Sequence, residues 1–267
     1  MKCAGGHAFD LSRDGYVNLL LSKRGGSWET GDSREMLRAR RAFLEGGHFD
    51  FLHDDLVERT KRWLLRHKPS SSRILNILDI GCGEGHYVGK LSKSLEGIPA
   101  GTFPAVEWYG MDVSKDGVQL ASRKHPLARF LLSNVHHHIP FTDGSISVAS
   151  SIFSPRNFGE FARVLEPGGL LLIAIPTPAH LQELREFVKM LKIDEDKEAK
   201  LLQSLGDFVL VESSALEGAA ALGANDLRNL VTMSPNFRHN PDLENLSRIS
   251  GKLTVSFSIK VLELARA

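Results

Sequence analysis

Cysteine is scarce in this chain, and the sequence has neither a strong net charge nor a long apolar run. Two cysteines among 267 residues cannot form a disulfide framework, so we expect a reducing compartment. The 33 basic and 32 acidic side chains leave a formal charge of +1, so any nucleic-acid-binding surface must be a local patch. The longest strongly apolar run, residues 170–175, is far shorter than the roughly 20 residues of a membrane helix. We expect a soluble intracellular protein, in the cytoplasm or an organelle, with no membrane association.

Apolar strands alternate with helical segments from residue 74 onward. A hydrophobic content of 42% supports one large core and at most two domains. The order of βαβ units predicts an α/β protein with a doubly wound, mostly parallel sheet of the Rossmann-like class. Residues 1–45 are rich in glycine and arginine with little apolar periodicity, so we expect a small amino-terminal appendage there and one larger domain over 46–267. The predicted helices cover residues 51–67, 86–95, 115–124, 158–165 and 181–191, and the predicted strands cover 75–80, 106–112, 128–133, 145–153, 170–175 and 253–262.

A glycine-rich turn follows the first predicted strand. Gly81, Gly83 and Gly85 let backbone N–H groups approach a ligand, and the following helix directs its positive dipole end to the same point. The spacing is G-x-G-x-G, whereas a dinucleotide site favours G-x-G-x-x-G. Asp79 gives the loop an acidic character that suits a cationic ligand. Asp112, at the end of the next strand, is placed to accept both hydroxyls of a ribose, although a nicotinamide cofactor would use the same acid.

The phrase D-I-G-C-G-E-G, followed by G-M-D-V-S, resembles the class I methyltransferases and implies S-adenosylmethionine, which carries an ammonium and a sulfonium group. Further blocks narrow the resemblance: D-G-Y-V-N-L-L at residues 14–20, G-D-S-R-E-M at 31–36, A-R-R-A-F-L at 39–44 and G-G-H-F at 46–49. Over most of its length the chain resembles the bacterial large-subunit (23S) ribosomal RNA guanine-N1 methyltransferases of the RlmA type. That resemblance implies a seven-stranded class I sheet, methyl transfer from S-adenosylmethionine to N1 of a guanine in ribosomal RNA, and a homodimer.

The same resemblance implies a small zinc module ahead of the main domain, built from a Cys-x-x-Cys pair followed by Cys-x-x-x-His. Cys3 and His7 match the second half of that pattern, and only Met1 and Lys2 precede them. Structural zinc takes four protein ligands. We therefore expect a truncated module without bound zinc, so that either the chain has lost its amino-terminal part or the metal has been lost.

Further cofactor contacts are implied by the family. Phe49 occupies an aromatic position that packs against the cofactor, although the usual tyrosine hydroxyl is absent and plain core packing is the alternative. His180 matches a position that contacts the cofactor; the alternative is a solvated or capping histidine. Asn134 follows the third strand, where this fold commonly places a side chain against the adenine. The expected cofactor-binding residues are Phe49, Asp79, Gly81, Cys82, Gly83, Gly85, His86, Asp112, Asn134 and His180.

The resemblance places the substrate pocket beside the carboxyl end of the fourth strand, at Ser154, Pro155, Arg156 and Asn157. The N/D-P-P-Y/F motif that is frequent in enzymes methylating adenine does not occur there, which fits a ring nitrogen as the methyl acceptor. The residues themselves assign no catalytic base.

Basic side chains are concentrated in the appendage and at its junction with the main domain. Such charge binds phosphate without reading sequence, and a helix with a solvated basic face is the alternative. Two other functions remain open at this point: a methyltransferase acting on a small metabolite, and a non-catalytic RNA-binding scaffold of the same fold. The basic residues of this region are Lys23, Arg24, Arg34, Arg38, Arg40 and Arg41, and the expected RNA-binding residues are Lys23, Arg24, Arg34, Arg40 and Arg41.

Overall fold

A computed structural model describes residues 6, 9, 11–20, 31–66, 74–96, 98, 102, 104–239 and 242–267. No helix in these ranges is long and apolar enough to cross a membrane. The helices are α1 (Arg34–Glu45), α2 (Asp50–Arg66), α3 (His86–Glu96), α4 (Lys115–Lys124), α5 (Phe158–Val164), α6 (Lys197–Gln203) and α7 (Ala224–Thr232), with 3-10 turns at Gln182–Glu186, Pro235–His239 and Leu243–Arg248. The strands are β1 (Val17–Asn18), β2 (Leu75–Ile80), β3 (Val106–Asp112), β4 (Ala128–Leu132), β5 (Ile146–Ile152), β6 (Leu165–Pro176), β7 (Phe208–Leu222) and β8 (Leu253–Arg266).

One sheet of eight strands forms the centre of the protein, in the order β1-β4-β3-β2-β5-β6-β8-β7. Neighbouring strands are parallel except at β8, which is antiparallel to both β6 and β7. The predicted doubly wound, mostly parallel sheet is confirmed, and its eighth strand is the two-residue β1. The strand order reverses between β2 and β5, and in such sheets a ligand binds outside the carboxyl ends of the strands at that switch point.

Strand β2 is buried on both faces of the sheet. Leu75 and Ile77 belong to one hydrophobic cluster, whereas Leu78 and Ile80 belong to a second cluster. Successive side chains of a strand point to opposite faces, and helices cover both faces of a parallel sheet. By the same alternation Asp79 falls on the face of Leu75 and Ile77, so its carboxyl group is buried among apolar side chains.

The region between β6 and β8 differs most from the sequence prediction. The helix predicted over residues 181–191 is wrong in extent, because only the 3-10 turn at Gln182–Glu186 forms. Leu181 has a φ of +56°, and its N–H donates to the carbonyl of Ser256 in β8 at 2.9 Å, so the chain is held out of helical geometry at the predicted start. Strand β7 was not predicted, and β6 begins five residues before the predicted strand.

Helix α1 also departs from the expectation of little apolar periodicity before residue 45. Ser33 caps the helix by accepting a hydrogen bond from the N–H of Met36 at 3.3 Å. Leu37 and Phe43 are fully buried, and the helix packs against α7 and α4. Residues 34–45 therefore contribute to the same core as the sheet, and a domain boundary at residue 45 stays a prediction.

A buried arginine connects α2 to the antiparallel edge of the sheet. The side chain of Arg59 is 3% exposed and donates to Asp55 at 2.7 Å, Glu263 at 3.1 Å and Ser214 at 2.7 Å. Removing one partner of a buried ion pair costs roughly 3–5 kcal/mol, because the remaining charge stays buried. We expect Arg59→Leu to lower the free energy of unfolding by about 3 kcal/mol, measured by urea denaturation. Adding Glu263→Leu should restore part of the loss, and an unchanged midpoint in the single variant would contradict this role.

Candidate cofactor and substrate site

The glycine-rich loop between β2 and α3 is closed by main-chain hydrogen bonds. The N–H groups of residues 81 and 82 donate to the carbonyl of Met111 at 2.8 and 3.0 Å. Gly81, Gly83 and Gly85 have φ values of +77°, +54° and +79°, a region that other residues rarely adopt. A Cβ at Gly81 would also lie 2.3 Å from the Cβ of Ser154. The loop therefore requires glycine. It leads directly into the amino-terminal end of α3, where unpaired N–H groups favour a negatively charged group of a ligand.

Asp112 ties the end of β3 to this loop. Its Oδ2 accepts a hydrogen bond from the N–H of Gly83 at 2.8 Å, and its Oδ1 accepts from the N–H of Ser114 at 2.7 Å. Burial raises the pKa of Asp112 above its ordinary value, and these two hydrogen bonds oppose the shift. Each carboxylate oxygen has a second acceptor direction, so the side chain can still receive hydroxyl donors from a ribose.

Asp79 is the buried carboxyl group at the end of β2. Its Oδ1 accepts a hydrogen bond from the hydroxyl of Ser150 at 2.7 Å, whereas its Oδ2 is buried without a hydrogen-bond partner in the described part of the chain. Burial raises the pKa of Asp79 to about 6. A cavity of about 10 Å³ beside it is lined by Thr60 and Tyr87 among others. An unpaired buried carboxylate oxygen is costly, and a cation bound next to it would offset that cost.

Arg40 lies over the glycine loop. A Cβ at Gly83 would be 3.0 Å from its Nη1, and its Nη2 donates to Asp32 at 2.5 Å and to the carbonyl of Met233 at 3.0 Å. Asp32 in turn accepts from Arg238 at 2.9 Å. This Asp32 cluster (Asp32, Arg40 and Arg238) joins the start of α1 to the segment after α7, beside the loop.

The other arginines expected to bind RNA also have internal partners. The Nε and Nη2 of Arg41 both lie 3.3 Å from Glu84, which follows Gly83 in the loop. Arg34 pairs with Asp116 of α4 at 2.8 Å. Lys23, Arg24, Cys3 and His7 lie outside the described residues. Within the described ranges, no group of three or more histidine, cysteine or acidic side chains is arranged to hold a metal ion.

Phe49 and His180 lie together in an aromatic cluster. The Phe49 side chain is 3% exposed, and its ring centroid is 4.9 Å from that of Phe257 and 6.3 Å from that of His180. His180 Nδ1 accepts from the N–H of Ser258 at 3.2 Å, and burial lowers the pKa of His180 to about 4. The structure therefore brings these two residues together, with Phe49 packed in the core and His180 neutral near pH 7.

Three further residues of the predicted site are Cys82, His86 and Asn134. Cys82 is buried, its thiol lies 3.7 Å from the carbonyl of Gly83, and burial raises the pKa of the thiol. His86 is buried at the first position of α3, and burial lowers its pKa to about 3. Asn134 follows β4, and its Oδ1 accepts from the N–H of His136 at 2.9 Å.

The predicted substrate pocket begins directly after β5. Ser154 donates to the carbonyl of Ile80 at 2.7 Å, which holds this segment against the glycine loop. Asn157 caps α5 and donates to the carbonyl of Val135 at 3.1 Å, so its amide group is used within the fold. Pro155 is exposed, whereas Arg156 is half-buried and has no carboxylate partner in the described ranges. Of the four residues, Arg156 is the one with donors available to a substrate.

Comparison with known proteins bears directly on this site. A family model described as "Methyltransferase domain" matches residues 77–169. The 23S rRNA (guanine(748)-N(1))-methyltransferase of Streptomyces fradiae is 32% identical over 251 residues, which cover 94% of this chain and 84% of that protein. The chain belongs to the 23S rRNA guanine-N1 methyltransferase family. A provisionally named member from Micromonospora griseorubida is 31% identical over 98% of this chain and 88% of its own length. The trans-aconitate 2-methyltransferase of Afipia carboxidovorans, 30% identical, matches 43% of this chain and 47% of its own length.

As a member of the 23S rRNA guanine-N1 methyltransferase family, the protein is an S-adenosylmethionine-dependent class I methyltransferase, and the sequence prediction of that class and cofactor is confirmed. The described residues fit the cofactor. The unpaired Oδ2 of Asp79 suits its cationic groups, the positive-φ loop keeps side chains away, and Asp112 stands at the end of the neighbouring strand. The roles of individual residues in this methyltransferase remain proposals.

Sequence reasoning missed two groups of residues at this site. Ser150 hydrogen-bonds Asp79, and its signal was available, since it is a polar residue inside the otherwise buried strand β5. Asp32 and Arg238 meet beside the loop although they are 206 positions apart. No local pattern signals that contact, because it depends on how α1 and the segment after α7 pack together.

Proposed function

We propose that this protein transfers the methyl group of S-adenosylmethionine to N1 of a guanine in large-subunit ribosomal RNA. The observation that carries the proposal is the extent of the similarity to the Streptomyces fradiae enzyme, which covers 94% of the chain. It therefore includes α1 and the segment after α7, which close over the glycine loop, as well as the cofactor-binding strands. The small-molecule methyltransferase in the comparison matches less than half of the chain.

Different residues around the loop would contact different parts of the cofactor. Asp79 would hold its cationic end, Asp112 its ribose hydroxyls, and Arg40 its carboxylate, since Arg40 lies over Gly83. When bound, the cofactor supplies an electrophilic methyl group on sulfur. The protein must then present guanine N1 in line with that methyl group, and much of the catalysis is positioning. A guanine in folded RNA is turned out of its stack for such chemistry.

Arg156 is the side chain that we propose to contact the target base. Its single hydrogen bond within the described ranges goes to the carbonyl of Ser154 at 3.3 Å, and burial lowers the pKa of its guanidinium. Methylation would form the N1–methyl bond as the sulfur–methyl bond breaks, and the N1 proton would leave to solvent. Departure of that proton places negative charge on the guanine ring. A fixed guanidinium in a partly desolvated pocket stabilises charge that develops during the reaction. Ser154 positions this segment through its hydrogen bond to the end of β2.

The resemblance noted in the sequence implies three further features of this protein. We propose that it works as a homodimer, that residues 1–45 help to grip RNA, and that it acts inside the cell, where ribosomal RNA is found.

Reverse transcription tests the reaction directly, because a methyl group on guanine N1 blocks base pairing and stops the copy. Unmodified large-subunit ribosomal RNA is incubated with the protein and S-adenosylmethionine, and we expect a stop at a single guanine. Replacing the cofactor by S-adenosylhomocysteine should remove the stop. Methyl transfer to a small molecule together with no stop on RNA would overturn the proposal, as would no transfer despite measurable cofactor binding.

A further inference from the structure

A groove of about 410 Å³ lies between α1 and α4, outside the site described above. Its size falls within the range of ligand pockets. Both helices contribute arginines to its walls, and one carboxylate opposes them. The charged residues that line it are Arg34, Arg38, Arg41, Arg123 and Asp116.

The groove carries an excess of three positive charges, from four guanidinium groups and one carboxylate. A guanidinium is planar, remains charged and matches the geometry of phosphate oxygens, so such a lining favours phosphate. A protein of formal charge +1 has no general excess of positive charge. A local concentration of arginines therefore indicates a binding site for a negatively charged partner.

Three of the four arginines of the groove are available to a ligand, whereas Arg41 is paired with the buried Glu84. Arg38 is exposed and forms no ion pair in the described ranges. Arg34 pairs with Asp116, with side-chain exposures of 67% and 33%, and Arg123 pairs with Asp14, with exposures of 60% and 19%. Exposed ion pairs contribute only about 0–1 kcal/mol, so phosphate oxygens can compete for these guanidinium groups.

One wall of the groove reaches the cofactor loop. Arg41 lines the groove and also hydrogen-bonds Glu84, which lies between Gly83 and Gly85. The helix α4 that forms the other wall begins three residues after Asp112. A chain of phosphates in the groove would therefore run beside Glu84 of the cofactor loop and the start of α4.

We propose that the groove between α1 and α4 binds the sugar–phosphate backbone of ribosomal RNA beside the target guanine, with Arg38 as its unpaired contact and Arg34, Arg41 and Arg123 as further contacts. The assignment rests on the proposed function. This set of RNA contacts differs from the set predicted from the sequence. Arg40 pairs with Asp32 and does not line the groove, whereas Arg123 lines it.

The test compares Arg38→Glu with Arg66→Glu, a matched control. Both arginines are exposed on a helix surface, and neither has an ion pair in the described ranges. Arg66 is the last residue of α2, a helix that packs against α3, β6 and β7, whereas the groove lies between α1 and α4. The dissociation constant for transcribed large-subunit ribosomal RNA is measured from about 50 to 200 mM salt, and the cofactor dissociation constant is measured by calorimetry.

We expect Arg38→Glu to weaken RNA binding at least about tenfold at the lowest salt and to make the salt dependence shallower by about one unit of slope. Its cofactor affinity should be unchanged, and Arg66→Glu should bind RNA like the parent protein. Three results would overturn the assignment of the groove to RNA. One is an unchanged slope of the salt dependence in Arg38→Glu, and another is an equal loss of RNA affinity in Arg38→Glu and Arg66→Glu. The third is that Arg38→Glu loses binding to phosphatidylglycerol vesicles but not to RNA. Loss of RNA affinity in Arg38→Glu, combined with a parent protein that gives no reverse-transcription stop, would support the groove and overturn the proposed reaction.

Discussion

Asp79→Asn is expected to weaken cofactor binding strongly and, at the same time, to stabilise the free protein. The substitution keeps the size of the side chain and a carbonyl oxygen that can accept the hydrogen bond from Ser150. It removes the negative charge that would hold the cationic end of S-adenosylmethionine. Calorimetry near pH 7 should show at least about a hundredfold weaker binding, since a lost charge-assisted contact in a buried site costs roughly 3 kcal/mol or more.

The stabilisation follows from the direction of the pKa shift. Burial raises the pKa of Asp79 to about 6 from an ordinary 3.8, so the folded protein binds the proton more tightly than the unfolded chain does. Stability is therefore lost as the pH rises between these values, by a total of roughly 3 kcal/mol. Asp79→Asn should exceed the parent protein in stability by up to about that amount above pH 6, and the difference should vanish towards pH 4.

Two results would contradict this account of Asp79. One is a stability difference between Asp79→Asn and the parent protein that does not change with pH. The other is cofactor affinity retained in the variant. The parent protein supplies an internal control, because its cofactor affinity should fall as the pH drops below about 6, and that pH dependence should be missing in Asp79→Asn.

Gly81→Ala should disrupt the conformation of the cofactor loop, because the added methyl group would clash with Ser154. The new Cβ would be 2.3 Å from the Cβ of Ser154 at a residue with a φ of +77°. The left-handed conformation costs roughly 1–2 kcal/mol for alanine, and overpacking adds roughly 1–3 kcal/mol. We expect a loss of about 2–5 kcal/mol in the free energy of unfolding, together with loss of cofactor binding, because the loop cannot keep its shape against β5.

Matched variants separate the clash from the backbone strain. Gly206 also has a positive φ, of +58°, but nothing lies within 4 Å of a Cβ there, so Gly206→Ala should show the strain alone. Adding Ser154→Gly to Gly81→Ala removes the clashing Cβ and should recover stability, whereas adding Ser154→Ala should not. Equal stability of the two double variants would show that Ser154 is not the obstacle.

The central part of the fold was predictable because its signals are local. The strands β2 to β5 are short apolar runs bounded by turns, and glycine in the loop follows from the sharp change of direction after β2. The proximity of Asp79 and Asp112 was predictable as well, since both end neighbouring parallel strands. These signals need no knowledge of how distant segments pack.

The missed elements depend on tertiary contacts. After Val211, strand β7 has no β-branched residue and ends in G-A-A-A-L, a composition unlike that of most strands. Pairing with β8 along its length makes it regular. In α1 the arginines at 38, 40 and 41 interrupt the apparent apolar pattern, although Leu37 and Phe43 are buried. The Asp32 cluster was not predictable for the same reason, because it joins segments that are distant in sequence.

The position of β8 between β6 and β7 has a consequence for synthesis on the ribosome. Strand β6 ends at Pro176, and β8 ends at Arg266, 90 residues later. At roughly 5–20 residues per second, the ribosome takes about 5–18 s to make that stretch. During this interval the strands that carry the cofactor loop are already available to fold, but the outer edge of β6 has no neighbour and β7 has no sheet to join. We expect the nascent chain to expose an apolar strand edge for seconds until β8 has been made, which is the kind of surface that chaperones protect from aggregation.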